Sequence, residues 1–153
     1  MSTIRYVPLT EVSPPALLTL LNDPQIRNHL IQHPLFSTDS LNAWIDAKVE
    51  EDRLPGCRVR AVLSNEQLIG WCGLQRSGED AEMAIVITPE AWGTGPRIFR
   101  DLLGWAGELG HEQVIIHLLD TRRDYRFLQN RATSIRSTSL LDRTFTTYVL
   151  PVQ

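Results

Sequence analysis

Hydrophobic positions along this chain change their period twice, and the changes divide it into elements. Residues 4–9 read as a first strand, closed by the polar Thr10 and Glu11. Ser13 followed by Pro14 and Pro15 is a helix start, a capping hydroxyl ahead of first-turn prolines, and an apolar stretch runs on to Leu21. Asp23-Pro24 repeats the signal for a second piece reaching about residue 31, and His33-Pro34 breaks it. Residues 37–39 offer a third N-cap, after which Leu41, Trp44, Ile45 and Val49 recur at helical spacing until Pro55-Gly56. From Cys57 the period falls to two: Cys57, Val59, Ala61 and Leu63 alternate with Arg58, Arg60 and Val62. Residues 64–66 are a turn and 67–75 the return strand, in which Gly70 and Gly73 mark bulges or close backbone approaches. After a turn at 76–80, residues 83–87 are continuously apolar, as a strand covered on both faces is. Residues 89–95 read as a loop. Ile98, Phe99, Leu102, Leu103, Trp105, Ala106 and Leu109 then return to helical spacing, and Gly110 ends that helix. A second continuous apolar strand covers 113–119, a shorter helix 121–129, and a closing hairpin 134–140 and 144–150.

Strand, helices, three antiparallel strands, helix, parallel strand, helix, hairpin: this order is α+β with a mixed, mostly antiparallel twisted sheet of six to seven strands. The unit from 83 to 119 is a strand–loop–helix–strand crossover, which joins parallel strands in the right-handed sense. A length of 153 residues fits one domain spanning 1–153. No stretch is apolar for long enough to span a bilayer, and the first residues lack the apolar core of a signal peptide, so a cytoplasmic protein is expected. Cys57 and Cys72 both lie in strand patterns and read as buried thiols. No His or Cys pair has ligand spacing, since His29 and His33 are followed by Pro34 and lack a completing carboxylate; no metal is expected.

The net charge of −3 is unevenly spread. Residues 1–120 carry 9 basic and 16 acidic side chains, and residues 121–153 carry 6 and 2. The six C-terminal bases are all arginines: Arg122, Arg123, Arg126, Arg131, Arg136 and Arg143. They form a solvated face or a contact for phosphate or an acidic group, for which the guanidinium fork is suited. The acidic total and the lack of aromatic–basic interleaving argue against nucleic acid.

Residues 82–100 carry the chemistry. An apolar strand feeds Trp92-Gly93-Thr94-Gly95, and a helix opens directly after it. The start of a helix leaves amide hydrogens unpaired, and with the helix dipole they attract an anion. Glycine lets backbone approach a pyrophosphate without a Cβ between them. A Gly-x-Gly also serves as a plain tight turn, and spacing alone leaves both readings open.

This segment resembles the coenzyme A loop of the GNAT N-acetyltransferases, whose pattern after the fourth strand is Gln/Arg-x-x-Gly-x-Gly/Ala. Thr88-Pro89-Glu90-Ala91-Trp92-Gly93-Thr94-Gly95 is similar to its lead-in, with Trp92 at the first motif position and Gly95 at the fourth. Asn22-Asp23-Pro24-Gln25-Ile26-Arg27, Phe36-Ser37-Thr38, Ala43-Trp44-Ile45 and Leu68-Ile69-Gly70-Trp71-Cys72-Gly73-Leu74 resemble the branch that acetylates ribosomal-protein N-termini and related amines. The chain departs from the pattern at Arg97, where Gly or Ala is usual, and at Pro96, which has no amide hydrogen. Asp120 replaces the usual Asn, Phe127 stands where many members have a general-acid Tyr, and Arg131-Ala132 replaces the usual Gly-Phe.

The resemblance implies a fold in which strands 4 and 5 are parallel and splay apart, with acetyl-CoA as co-substrate between them. Gly93, Thr94, Gly95, Arg97 and Ile98 would hold its pyrophosphate, with Trp92 and Asp120 beside the coenzyme. A backbone N–H within Ile85, Val86 and Ile87 would polarise the thioester carbonyl. Glu82 occupies the position where related enzymes often carry a glutamate base. On its residues alone it also reads as a surface carboxylate at a strand edge. His117 reads as a hydrogen-bonded core histidine, and Trp44, Trp71 and Trp105 as packing. The acceptor, a small-molecule or peptide amine, would enter between residues 29–36 and the closing hairpin. Dimers are common in the family, and apolar edge strands would permit a homodimer. The departures at Pro96, Arg97 and Phe127 motivate a second reading, a non-catalytic domain that binds coenzyme A or a partner as sensor or scaffold.

Overall fold

A computed structural model describes residues 3–27, 35–119, 126–140 and 143–152. Its strands are β1 (Ile4–Val7), β2 (Arg58–Ser64), β3 (Gln67–Ser77), β4 (Asp80–Ile87), β5 (Gln113–Leu119), β6 (Ser134–Leu140) and β7 (Arg143–Pro151). They form one seven-stranded sheet in the order β1-β2-β3-β4-β5-β7-β6. Every neighbouring pair is antiparallel except β4 and β5. The helices are α1 (Pro14–Leu21), α2 (Pro24–Arg27), α3 (Thr38–Asp52), α4 (Gly95–Glu108) and α5 (Arg126–Arg131).

The sheet is covered on both faces, as the continuous apolar strands require. On one face α1, α2 and α3 bring Leu17, Leu20, Leu21, Ile26 and Leu41 against Val59, Ala61, Trp71 and Val86. On the other, α4 brings Ile98, Phe99, Leu102, Leu103 and Ala106 against Leu74, Met83, Ile87, Val114, Ile116, Tyr148 and Leu150. Each fully buried side chain of this size contributes about 2 kcal/mol by leaving water. Cys57, just before β2, and Cys72, in β3, are free and buried. Among the described residues no helix is long and apolar enough to cross a membrane.

Local chemistry explains the helix ends. Ser37 accepts from the Ser40 amide while the Ser40 hydroxyl accepts from the Ser37 amide, a reciprocal capping box that starts α3. Gly110 takes φ +87° just past α4, the left-handed conformation that ends a helix and that only glycine adopts without strain.

Several expected boundaries move. The first strand stops at Val7, because Leu9–Glu11 coil into a short 3-10 helix. Ser13 makes no side-chain cap, although Pro14 does begin α1. Strand β3 runs to Ser77 and β4 starts at Asp80, so the turn between them shrinks to Gly78 and Glu79. The expected loop at 89–95 is instead a 3-10 helix, Pro89–Thr94, which passes directly into α4. The expected helix at 121–129 is described only as α5, and the second helix piece beyond Arg27 lies outside the described residues.

Candidate functional site

Strands β4 and β5 share one registered pair, Glu82 with Ile115. By contrast β4 pairs with β3 through eight residues and β5 with β7 through seven. Past Glu82 the two central strands therefore run on without a ladder between them, each still held by its outer neighbour. This leaves backbone groups of β4 turned toward an open seam rather than toward a partner. Their direction follows from alternation along the strand. The Thr88 amide donates to the Ile69 carbonyl at 2.8 Å, so it faces β3. The Val86 carbonyl faces β3 as well, since a Cβ built on Gly70 would meet it at 2.0 Å. Ile85 and Ile87 then turn their N–H groups to the seam. Of the three residues expected to supply a polarising amide, Val86 is thus excluded: its N–H belongs to the β3 ladder.

The start of α4 stands just beyond the end of β4. Thr94 occupies its N-cap without making a side-chain cap, because its hydroxyl donates backward to the Ala91 carbonyl at 2.6 Å. Gly95 and Arg97 carry amide hydrogens in the first turn, and Pro96 has none. Neither Gly93 nor Gly95 has positive φ, so backbone conformation does not demand glycine at either place. What distinguishes them is space: a Cβ built on either meets no atom within 4 Å. Helix α4 thus continues the 3-10 helix without a side-chain cap, beside two glycines whose Cβ positions are open. Ile98 is fully buried and anchors the turn in the core rather than meeting a ligand with its side chain. The Arg97 guanidinium, half exposed, lies 4.0 Å from the Asp101 carboxylate one turn on. An exposed pair of that length is worth at most about 1 kcal/mol and releases readily. Trp92 falls within the 3-10 helix. Asp120 lies outside the described residues, and Phe127 falls in the first turn of α5.

The face of the sheet toward α3 carries the titratable groups. Glu82 points there with its cross-strand neighbour Gln75, which is itself buried. Burial raises the Glu82 carboxyl above its usual range, the nearby Lys48 ammonium opposes this, and Glu51 adds to it. Glu82 is therefore not the surface carboxylate that its strand-edge position also allowed. Lys48 donates to the Gln75 carbonyl oxygen, lies 3.6 Å from Glu51, and sits 4.9 Å from the Trp71 ring centre and 5.7 Å from that of Trp44. Trp44 and Trp71 meet edge to face at 5.4 Å, and the Trp71 Nε1 is buried without a partner among the described residues. Lys48 escaped the sequence reading because its polar spacing on α3 resembles that of the solvated Asp46 and Glu50.

A pH prediction follows. A carboxyl raised by burial contributes stability below its unfolded pKa and loses it as pH rises through the folded one. Glu82→Gln removes the buried charge. Its melting temperature is expected to exceed that of the parent protein at pH 8, with the gap closing toward pH 4. A constant gap across that range, measured by scanning calorimetry, would mean that Glu82 is not held away from water.

On β5, His117 continues the face that Ile115 shares with Glu82. Its Nδ1 lies 2.7 Å from the Thr147 hydroxyl, which lies 2.7 Å from that of Thr138. Burial lowers the imidazole pKa below the usual histidine value, with Arg136 acting in the same direction and Asp80 against it. Of the C-terminal arginines, Arg136 lies 3.6 Å from Asp80 and Arg131 stacks 5.8 Å over the Phe99 ring centre. A cavity of about 350 Å³ lined by Gly56, Cys57, Arg76, Asp80 and His111 lies at the opposite end of β4, away from the start of α4.

The family model described as an acetyltransferase (GNAT) domain matches residues 4–120. A search of curated proteins returned no significant match. Among solved structures, the chain resembles an N-acetyltransferase from Staphylococcus aureus Mu50, with TM-score 0.72, 15% identity, and coverage of 100% of this chain and 99% of that one. It resembles a spermidine N-acetyltransferase from Vibrio cholerae, solved with CoA and spermine, with TM-score 0.71, 17% identity, and coverage of 98% and 95%. It also resembles the yncA protein of Salmonella typhimurium, solved with its cofactor acetyl-CoA, with TM-score 0.68, 16% identity, and coverage of 100% and 95%. These structural similarities show the shared fold.

Proposed function

The chain belongs to the GNAT acetyltransferase family, and from that premise we propose that it transfers an acetyl group from acetyl-CoA to a primary amine by direct attack. The observation that carries this is the seam. Two central parallel strands share a single rung and then part, beside a helix whose first turn is uncapped and whose glycines open onto space.

Acetyl-CoA supplies an activated acyl group, a thioester ready for attack. The residues of this chain hold and orient it. The Gly95 and Arg97 amides and the α4 dipole bind the pyrophosphate, Gly93 gives the backbone close approach, and the Arg97 side chain swings from Asp101 to add charge. The Ile85 and Ile87 amides, fixed by the β3 ladder behind them, donate to the carbonyl oxygen as negative charge develops there. The amine arrives on the opposite face, past the aromatic wall of Phe36, Trp44 and Trp71. An amine near pKa 10 is protonated at neutral pH, so one proton must leave before attack. Among the described residues, Glu82 on this face is a group placed to take it.

The acceptor falls within primary amines of small molecules or peptides. The sequence likeness to the branch that acetylates ribosomal-protein N-termini and related amines supports this range. Two free, buried thiols agree with a cytoplasmic setting. A second reading keeps the binding and drops the chemistry, and Phe127 favours it, because it lacks the hydroxyl of a phenolic acid.

The test is calorimetric titration with acetyl-CoA, then thiol release with spermidine, spermine and an α-amino peptide. Gly95→Val is expected to weaken acetyl-CoA binding at least tenfold, about 1.4 kcal/mol. Because the added Cβ meets no protein atom within 4 Å, the circular dichroism spectrum should stay the same. Unchanged affinity would remove the pyrophosphate site from the start of α4. Tight binding without turnover of any amine would favour the non-catalytic reading.

A further inference from the structure

We propose that the Lys48 ammonium fills a cation site on the face of the sheet toward α3, and that the protein therefore rejects amines carrying a second positive charge and selects acceptors with one. The site is built from this chain's own contacts. Its bearing on the acceptor rests on the acetyltransferase reading above.

Lys48 is the only lysine among 15 basic residues, in a chain that uses arginine everywhere else. An ammonium is a compact point charge on a flexible stem, whereas the planar guanidinium fork suits paired oxygens. Helix α3 carries Trp44 one turn before Lys48 and Glu51 one turn after it. The Lys48 side chain is only 19% exposed. Its Nζ lies over two rings, 4.9 Å from the Trp71 centre and 5.7 Å from that of Trp44, and these rings meet edge to face. The same nitrogen donates to the Gln75 carbonyl oxygen and lies 3.6 Å from Glu51. Its charge also opposes the rise that burial causes at Glu82. Two ring faces, an amide oxygen and two carboxylates around one nitrogen are what an organic ammonium needs on leaving water.

The two faces of the sheet divide the work. If α4 holds the coenzyme from one face, the amine comes from the other, where Trp44, Trp71, Ala84 and Val86 pack. Alternation along β4 puts Glu82 on that face too, at the last rung before the strands part. A second ammonium on the acceptor would need a partner there. Glu51 and Glu82 are engaged with Lys48, Asp52 with Arg60 at 2.7 Å, and Asp80 with Arg136 at 3.6 Å. The second ammonium would therefore meet the like charge of Lys48 in place of a partner. Rejection by a site already filled is specificity through repulsion.

Three measurements test this. Lysine labelled with heavy nitrogen at Nζ gives a single ammonium signal, because the chain has one lysine. It should be visible by NMR at neutral pH, since an enclosed ammonium exchanges slowly with water, and spermidine should not move it. Lys48→Ala empties the site. Added n-propylammonium, the part of the side chain removed, should restore at least half of the melting temperature that this variant loses, and n-propanol should not. Titrated in a calorimeter with CoA present, spermidine should bind Lys48→Ala at least about tenfold more tightly than the parent protein. Lys48→Met removes the charge but keeps the enclosure filled, so its gain should stay below about threefold.

An ammonium signal lost to fast exchange, or a Lys48→Ala variant that n-propylammonium does not restore, overturns the site. Equal spermidine gains in Lys48→Met and Lys48→Ala, or no gain in either, overturn the selection. Absence of turnover with every amine removes the acetyltransferase reading and the choice of acceptor with it, while the lysine signal and the rescue still decide the cation site.

Discussion

Gly70→Ala is expected to lower the melting temperature by about 6–12 °C, corresponding to about 3 kcal/mol for a chain of this length. Gly70 sits in β3 opposite Ile87, and a Cβ there would lie 2.0 Å from the Val86 carbonyl oxygen and 2.8 Å from the Ile87 Cα. Both are backbone atoms of the neighbouring strand, so no side-chain rotation relieves the contact. The strands must part where β4 turns the Ile85 and Ile87 amides toward the seam. Acetyl-CoA affinity should therefore fall together with stability. Gly95→Val, by contrast, should lose affinity alone. A Gly70→Ala melting temperature within 2 °C of the parent protein would show that β3 and β4 are not so closely apposed.

Leu102→Ala should cost about 3–4 kcal/mol, which appears as a melting temperature lower by about 10 °C. Leu102 is fully buried on α4, one turn from Ile98 and one from Ala106, both also fully buried. Truncation removes apolar contacts and leaves a cavity that the sheet behind, built on Met83, Val114 and Ile116, cannot close. The helix start is remote from the deletion, so saturating acetyl-CoA should raise the melting temperature of the variant about as much as that of the parent protein. If the variant loses that ligand-induced rise while still folded, the helix start depends on the whole of α4 rather than on its first turn. A loss below about 1 kcal/mol would mean that Leu102 is not in the core.

Much of the architecture was legible along the chain because burial leaves a periodic trace. The alternation from Cys57, the continuous apolar runs in β4 and β5, and the helical spacing of α4 each record which faces meet the core. Gly110 could be read because its left-handed turn excludes other residues. Gly70 and Gly73 could be read as close approaches, since a Cβ at either would collide with the next strand. The 3-10 helix at Pro89–Thr94 was not legible, because glycine and proline mark a break in regular structure without saying what replaces it. Lys48 was missed for a related reason, whereas His117 is the hydrogen-bonded core histidine that its strand position implies. A polar residue inside an apolar pattern looks the same whether it is merely hydrogen-bonded or aimed at a site.

The chain by itself determines the element order, the faces that bury, and a helix start free of side chains near Gly93 and Gly95. These are local properties, fixed by periodicity and by the absence of a Cβ. Tertiary structure alone decides where β4 and β5 stop pairing, which amides that frees, and which titratable groups stand on the face toward α3. The reason is that register between strands distant in sequence is set by the packing of the whole sheet. One rung at Glu82 and Ile115, and none beyond it, leaves two ordinary core strands with a seam between them.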